Sequence, residues 1–255
     1  MYKIGTNMNF VQTKGFKLAI YSKGNPKSKK LALVLPGKLD TKDYAHMKSH
    51  VEYLANKGYF ALSFDPPGTW ESPGDIKLYT MTNYLKAVDE LIDYFGNTPT
   101  FIMGHSRGAT VATIAGARNK HVFAFAAVMS SFEKGGFQED IDKDWKTKGF
   151  VISRRDLPPG GGAKETEFKL PYSFFENQIK YDLTEDITNS PKPKLFILGK
   201  QDVLIPPETI KDTYKLFLGP KELFELDFGH DYRLNYTMIK KVNDVVGAFL
   251  DKYSA

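Results

Sequence analysis

Short apolar runs punctuate the chain, at residues 31–35, 59–64, 100–103, 122–129 and 194–198. They are almost free of polar alternation, which predicts strands buried on both faces. A further strand is predicted at 222–226, and residues 9–13 and 16–22 flank Lys14-Gly15 as a hairpin. Between these runs the period changes. Residues 44–57 place Met47, Val51, Leu54 and Ala55 at helical spacing and stop at Gly58; residues 82–95 do the same with Leu85, Val88, Leu91, Ile92 and Phe95 and stop at Gly96. Helices are also predicted over 109–115, 208–217 and 236–253, the last with Val242, Val245, Val246, Phe249 and Leu250 inward. Strands alternating with helices imply an α/β fold, a mostly parallel, doubly wound sheet covered on both faces. Ligands of such sheets bind beyond the carboxyl ends of the strands.

The rhythm breaks between residues 132 and 191. This stretch carries Trp145, Phe150, Phe168, Tyr172, Phe174, Phe175 and Tyr181, and the turn-like Pro158-Pro159-Gly160-Gly161-Gly162. Residues 150–153 and 167–170 read as two arms of a hairpin around that turn. A structureless loop of this length does not suit a compact domain. The division expected is a core of residues 1–131 and 192–255, with 132–191 as an inserted cap. The cap aromatics, Trp145 and Phe174 among them, are candidates to line a substrate pocket.

Composition narrows the picture. The chain has 255 residues, 42% of them hydrophobic and 14% aromatic, enough for a sizeable core. The net charge of +5 is spread among acids, with no basic stripe interleaved with aromatics, so no nucleic-acid partner is expected. The absence of cysteine excludes disulfides, thiolate metal sites and a cysteine nucleophile. Lys3, Asn7 and Asn9 interrupt any apolar leader, and the run at 122–129 is too short to span a bilayer, so a cytoplasmic protein without a membrane span is expected.

The chemistry centres on Gly104-His105-Ser106-Arg107-Gly108, a G-x-S-x-G motif with a strand before it and a small-residue helix after it. So sharp a turn needs small residues two before and two after the serine, and Gly104 and Gly108 supply them. It raises Ser106 above the sheet at a helix N-terminus, with the Arg107 N–H pointing the same way as an oxyanion donor. A serine needs a base, and a base needs an orienting acid. His230 and Asp202 each follow a later strand, in chain order Ser, Asp, His. Asp227 and Asp231 flank His230 and rival Asp202. His46 and His50 stand at i, i+4, but residue 47 is Met where a zinc-site glutamate would stand and no third ligand is evident, so no metal is expected. His105 and His121 are read as structural. Gly160-Gly161-Gly162 with Lys164 lacks the ending of a phosphate loop.

On these residues the chain resembles the α/β-hydrolases. Gly104–Gly108 resembles their nucleophile elbow, Gly199-Lys200-Gln201-Asp202-Val203-Leu204-Ile205-Pro206 their acid loop, Gly229-His230 their histidine loop, and Asp65-Pro66-Pro67-Gly68 with Ser72 the D-x-x-G-x-G-x-S loop. Core and inserted cap together resemble small acyl and cinnamoyl (feruloyl-type) esterases. The resemblance implies hydrolysis of small-molecule acyl or aryl esters through an acyl-enzyme on Ser106, with His230 as base, Asp202 as orienting acid and no cofactor, in a monomer or homodimer. Thioesterase, peptidase, lipid deacylase and C–C hydrolase chemistry stay open on the same residues, as does a non-catalytic ligand-binding module. Two departures stand out. Pro36-Gly37 replaces the usual His-Gly, with the Lys38 N–H as expected oxyanion donor and Leu39 second. Trp70 replaces the second glycine of the Asp65 loop, where it either narrows the substrate pocket or packs under the cap.

Overall fold

The computed structural model describes residues 9–130, 143–159, 164–183 and 188–253. The main sheet comprises β1 (Phe10–Gln12), β2 (Lys17–Lys23), β3 (Leu31–Leu35), β4 (Phe60–Phe64), β5 (Thr100–His105), β6 (Val122–Val128), β9 (Lys194–Gly199) and β10 (Lys221–Leu226). Its order is β1-β2-β4-β3-β5-β6-β9-β10. β1 and β2 form the antiparallel edge, β2 meets β4 antiparallel, and every later pair is parallel.

The helices divide between the two faces. Leu31, Leu33 and Leu35 of β3 point into one core, with α2 (Met81–Tyr94), α3 (Arg107–Arg118) and α6 (Pro207–Leu216). Ala32 and Val34 point into the other, with α1 (Ala45–Asn56) and α7 (Tyr236–Tyr253). With both faces covered, all five side chains of β3 are buried, which is why its sequence shows no alternation. Tertiary burial stops no helix early: α1 ends before Gly58 and α2 before Gly96, both at positive φ.

Between β6 and β9 the chain leaves the sheet. α4 (Lys143–Lys148), the antiparallel pair β7 (Phe150–Asp156) and β8 (Glu165–Pro171), and α5 (Tyr172–Gln178) form there. Phe150 pairs with Pro171 and Asp156 with Glu165, so the hairpin read from the sequence is longer than its two apolar arms. The Gly160–Gly162 turn and residues 132–142 of the expected insert lie outside the described residues.

The chain runs from β3 outward to β4, then returns to β5 on β3's other side. This reversal is the switch point at which an open α/β sheet leaves a crevice. The ends of β3 and β5 are paired, Leu35 beside Gly104, so Lys38 and Ser106 emerge from adjacent strands.

Candidate active site

Ser106 sits between β5 and α3 with φ 52° and ψ −122°. A conformation so rarely populated costs on the order of 1–3 kcal/mol and persists only where its surroundings enforce it. Here the Ser106 N–H donates to Val128 O at 2.9 Å, and both flanking glycines are needed. A Cβ on Gly104 would collide with the carbonyl of Gly108, and one on Gly108 with the carbonyl of Leu35.

His230 Nε2 lies 2.9 Å from Ser106 Oγ, and His230 Nδ1 lies 2.7 Å from Asp202 Oδ2. Asp202 is buried, and its other oxygen accepts the Leu204 and Ile205 N–H groups at 2.9 and 2.8 Å, which fixes the carboxylate toward the imidazole. That contact calls for the tautomer with the proton on Nδ1, leaving Nε2 free to accept from serine. The rivals are turned elsewhere: Asp231 accepts from Arg233 at 2.9 Å, and Asp227 from Gln201 at 3.3 Å.

The loop after β3 is held from several sides. Tyr84 Oη donates to Pro36 O at 3.0 Å, Arg155 donates to Lys38 O at 2.6 and 3.0 Å, and Trp70 Nε1 donates to Leu39 O at 2.9 Å. The Leu39 N–H donates to Tyr79 Oη at 3.0 Å, so the second-choice oxyanion donor is already engaged. Among the described residues no acceptor meets the Lys38 N–H or the Arg107 N–H at the first position of α3.

An α/β-hydrolase fold family model matches residues 33–148. Alpha/beta hydrolase domain-containing protein 10 from mouse is similar over 98% of this chain and 100% of its own, with 18% identity and a TM-score of 0.76. Est1E from Butyrivibrio proteoclasticus, solved with ferulic acid bound, is similar over 96% of this chain and 98% of its own, with 18% identity and a TM-score of 0.73. A thioesterase domain from the curacin biosynthetic pathway is similar over 93% and 97%, with 16% identity and a TM-score of 0.70. No curated protein matches the sequence. The chain has the α/β-hydrolase fold.

Trp70, where the resemblance read from the sequence sets a glycine, has the left-handed backbone that favours glycine, with φ 48°. Its ring packs edge-on against Tyr44 and against Phe168 of β8, at 6.1 and 5.3 Å between centroids. Trp70 therefore braces the β3 loop beneath the hairpin. Asp65, from the same hydrolase-fold loop, accepts from Thr41 Oγ1 and the Lys42 and Glu71 N–H groups, while Ser72 Oγ donates to Asp65 O.

Of the two aromatics singled out between β6 and β9, Phe174 reaches the elbow: the Arg107 guanidinium carbon stands 4.2 Å from its ring centroid. Trp145 is buried among Tyr172, Phe174 and Phe175 and donates Nε1–H to Leu170 O at 3.2 Å; its contact with the elbow runs through Phe174. Sequence reasoning passed over Tyr79, Tyr84 and Arg155. No motif marks them, because each meets the β3 loop only through space.

The histidines behind the elbow are buried. His50 donates from Nδ1 to Asn243 Oδ1 at 2.6 Å and accepts from Tyr232 Oη at 2.9 Å; the Asn243 amide is oriented by its own bond to Ser49 Oγ at 3.0 Å. Burial pushes His50 down to about 4, and it pushes His46, whose two ring nitrogens have no partner, well below its ordinary value. His105 Nε2 donates to His230 O at 3.0 Å, tying the elbow to the histidine loop. Asp40, His46 and His105 each bring one ligand atom within 4.8 Å of the others, the place among the described residues where a divalent ion would find donors. Asp40 also faces Arg155 at 3.7 Å, so its charge is answered by a side chain.

Proposed function

We propose that this protein hydrolyses carboxylic esters through an acyl-enzyme on Ser106. The observation that carries the reading is the unbroken path from Asp202 through His230 to Ser106, at 2.7 and 2.9 Å. Ser106 Oγ attacks the ester carbonyl while His230 Nε2 takes its proton. The oxyanion that forms is met by the N–H groups of Lys38 and Arg107, neither of which meets an acceptor among the described residues. Collapse breaks the bond to the alcohol oxygen, which leaves with the proton from His230. Water then attacks the acyl-enzyme and gives a proton to His230; collapse breaks the bond from the acyl carbon to Ser106 Oγ, and His230 returns the proton to that oxygen as the acid leaves. Asp202 holds the imidazole tautomer and stabilises the imidazolium throughout.

The segment between β6 and β9 acts as a cap over this serine. Three contacts support that role. Arg107 bonds Gln178 of α5, Arg155 of β7 bonds Lys38 O, and Tyr44 Oη donates to Asp156 O at 2.8 Å. Phe174 forms part of the acyl pocket wall. No described helix is long and apolar enough to cross a membrane, and a small-molecule substrate suits the crevice.

The test is turnover of a panel of esters, thioesters and peptides by the wild type and Ser106→Ala. Ester cleavage that vanishes in the variant is expected. Cleavage that persists, or that is confined to peptides, would contradict the assignment.

A further inference from the structure

We propose that the ester this site takes carries an anionic group, a carboxylate on its acyl side, held by Lys38 and Arg107; this rests on the hydrolase reading above. The starting observation is an imbalance of charge around Ser106. Of the cations there, Arg233 is paired with Asp156 at 2.7 Å and Asp231 at 2.9 Å, and Arg155 faces Asp40 at 3.7 Å. Lys38 and Arg107 are not paired: among the described residues neither has a carboxylate within 4 Å. Buried charges ordinarily are paired, because an unanswered one costs several kcal/mol.

Arg107 is 8% exposed and immediately follows the nucleophile; its Nη1 donates to the neutral Gln178, and Nε and Nη2 have no hydrogen-bond partner among the described residues. Its neighbours are neutral: the phenols of Tyr79, Tyr84 and Tyr181, and the Phe174 ring. Lys38 reaches the same ring from the other loop, with Nζ 5.8 Å from the Phe174 centroid. Its side chain is exposed. Burial first, then Arg107 and Arg155, pull that amine down to about 8. Two cations crowding one aromatic ring repel each other, and an anion placed between them relieves both costs at once.

The position assigns the anion to the acyl half. His230 must protonate the leaving alcohol, so that half departs on the His230 side, where Arg233 is already neutralised. Lys38 and Arg107 stand with the elbow and the β3 loop, where the acyl group is held. A short acyl chain ending in carboxylate suits two such cations better than a purely apolar one.

The test compares the butyryl and hemisuccinyl esters of one alcohol. Wild type should favour the hemisuccinyl ester in kcat/KM by about tenfold or more, the scale of one charge-assisted contact, with the advantage shrinking as salt is added. Lys38→Glu, at an exposed side chain, should reverse the preference and Lys38→Arg should keep it; Arg107→Met should lower it. Calorimetry with monoethyl succinate on Ser106→Ala reads the same recognition without turnover. If butyryl is preferred, or Lys38→Glu leaves the ratio unmoved, the proposal is overturned. A gain only when a phosphate is carried by the alcohol would overturn the acyl placement. If neither ester turns over and Ser106 takes no fluorophosphonate, the hydrolase reading has failed, and calorimetry still decides whether the anion binds.

Discussion

Tyr79 accepts the Leu39 N–H at 3.0 Å, so that amide of the β3 loop is already engaged. The neighbouring Lys38 N–H meets no acceptor among the described residues, and Leu39 itself holds φ 56°. Tyr79 is fully buried, 40 residues away in sequence, and its hydroxyl also points at Gly37 O at 3.5 Å. Tyr79→Phe should therefore leave a buried N–H unanswered, at about 1–3 kcal/mol. The loss should appear chiefly in kcat, because the oxyanion donor is displaced, with KM little changed. Equal loss in kcat and gain in KM would assign Tyr79 to substrate binding instead.

Trp70 makes a second brace testable. Trp70→Gly would relax the positive φ but remove the bond to Leu39 O and the contact with Phe168. Trp70→Phe keeps the ring and loses only the N–H. If bracing is the role, both variants should cut kcat, Trp70→Phe by about tenfold, the value of one hydrogen bond of ~1 kcal/mol or slightly more. An unchanged kcat in Trp70→Phe with a shifted acyl-chain preference would make the ring a pocket wall.

The choice of acid can be resolved by parallel variants. Asp202→Asn should lower kcat by about ten-thousandfold while the fold persists, because the wrong imidazole tautomer is then favoured. Asp231→Asn and Asp227→Asn should do far less, since those carboxylates serve Arg233 and Gln201. A loss as large in Asp231→Asn would reverse the assignment.

Acid lability should trace to α1. His46 and His50 are buried with values pulled below the ordinary 6.5, His50 to about 4. The unfolded chain binds those protons near 6.5 and the folded chain does not, so stability is full above 6.5 and falls as pH drops toward 4. Both groups act in the same direction, so the fall is steeper than either alone would give. Urea titrations between pH 7 and 4.5 should show it, and His46→Leu should roughly halve it. The same slope in His46→Leu would clear His46 of the effect.

Much of this molecule was legible before any coordinates. The runs at 31–35 and 100–103 announced their strands because both faces are covered, and α7 spans residues 236–253 as its inward valines required. Ser106, Asp202 and His230 stood out as candidates because each follows a predicted strand, and the fold brings them within hydrogen-bond distance of one another. Tyr79, Tyr84 and Arg155 did not, since a hydroxyl or guanidinium reaching a distant carbonyl leaves no periodicity. Trp70 was visible as an anomaly, but its side depended on Phe168 of the hairpin. That no described carboxylate lies within 4 Å of Lys38 or Arg107 is likewise a matter of packing, since nothing in the sequence order shows which cations the acids reach.

The account rests most directly on Ser106 as a nucleophile activated by His230. A fluorophosphonate probe, with the adduct located by peptide mass spectrometry, tests both at once. The prediction is a single adduct on Ser106, absent in Ser106→Ala and formed at least several thousand-fold more slowly in His230→Ala, as expected of residues acting as a unit. An adduct on Ser130, or equal labelling rates in wild type and His230→Ala, would contradict it.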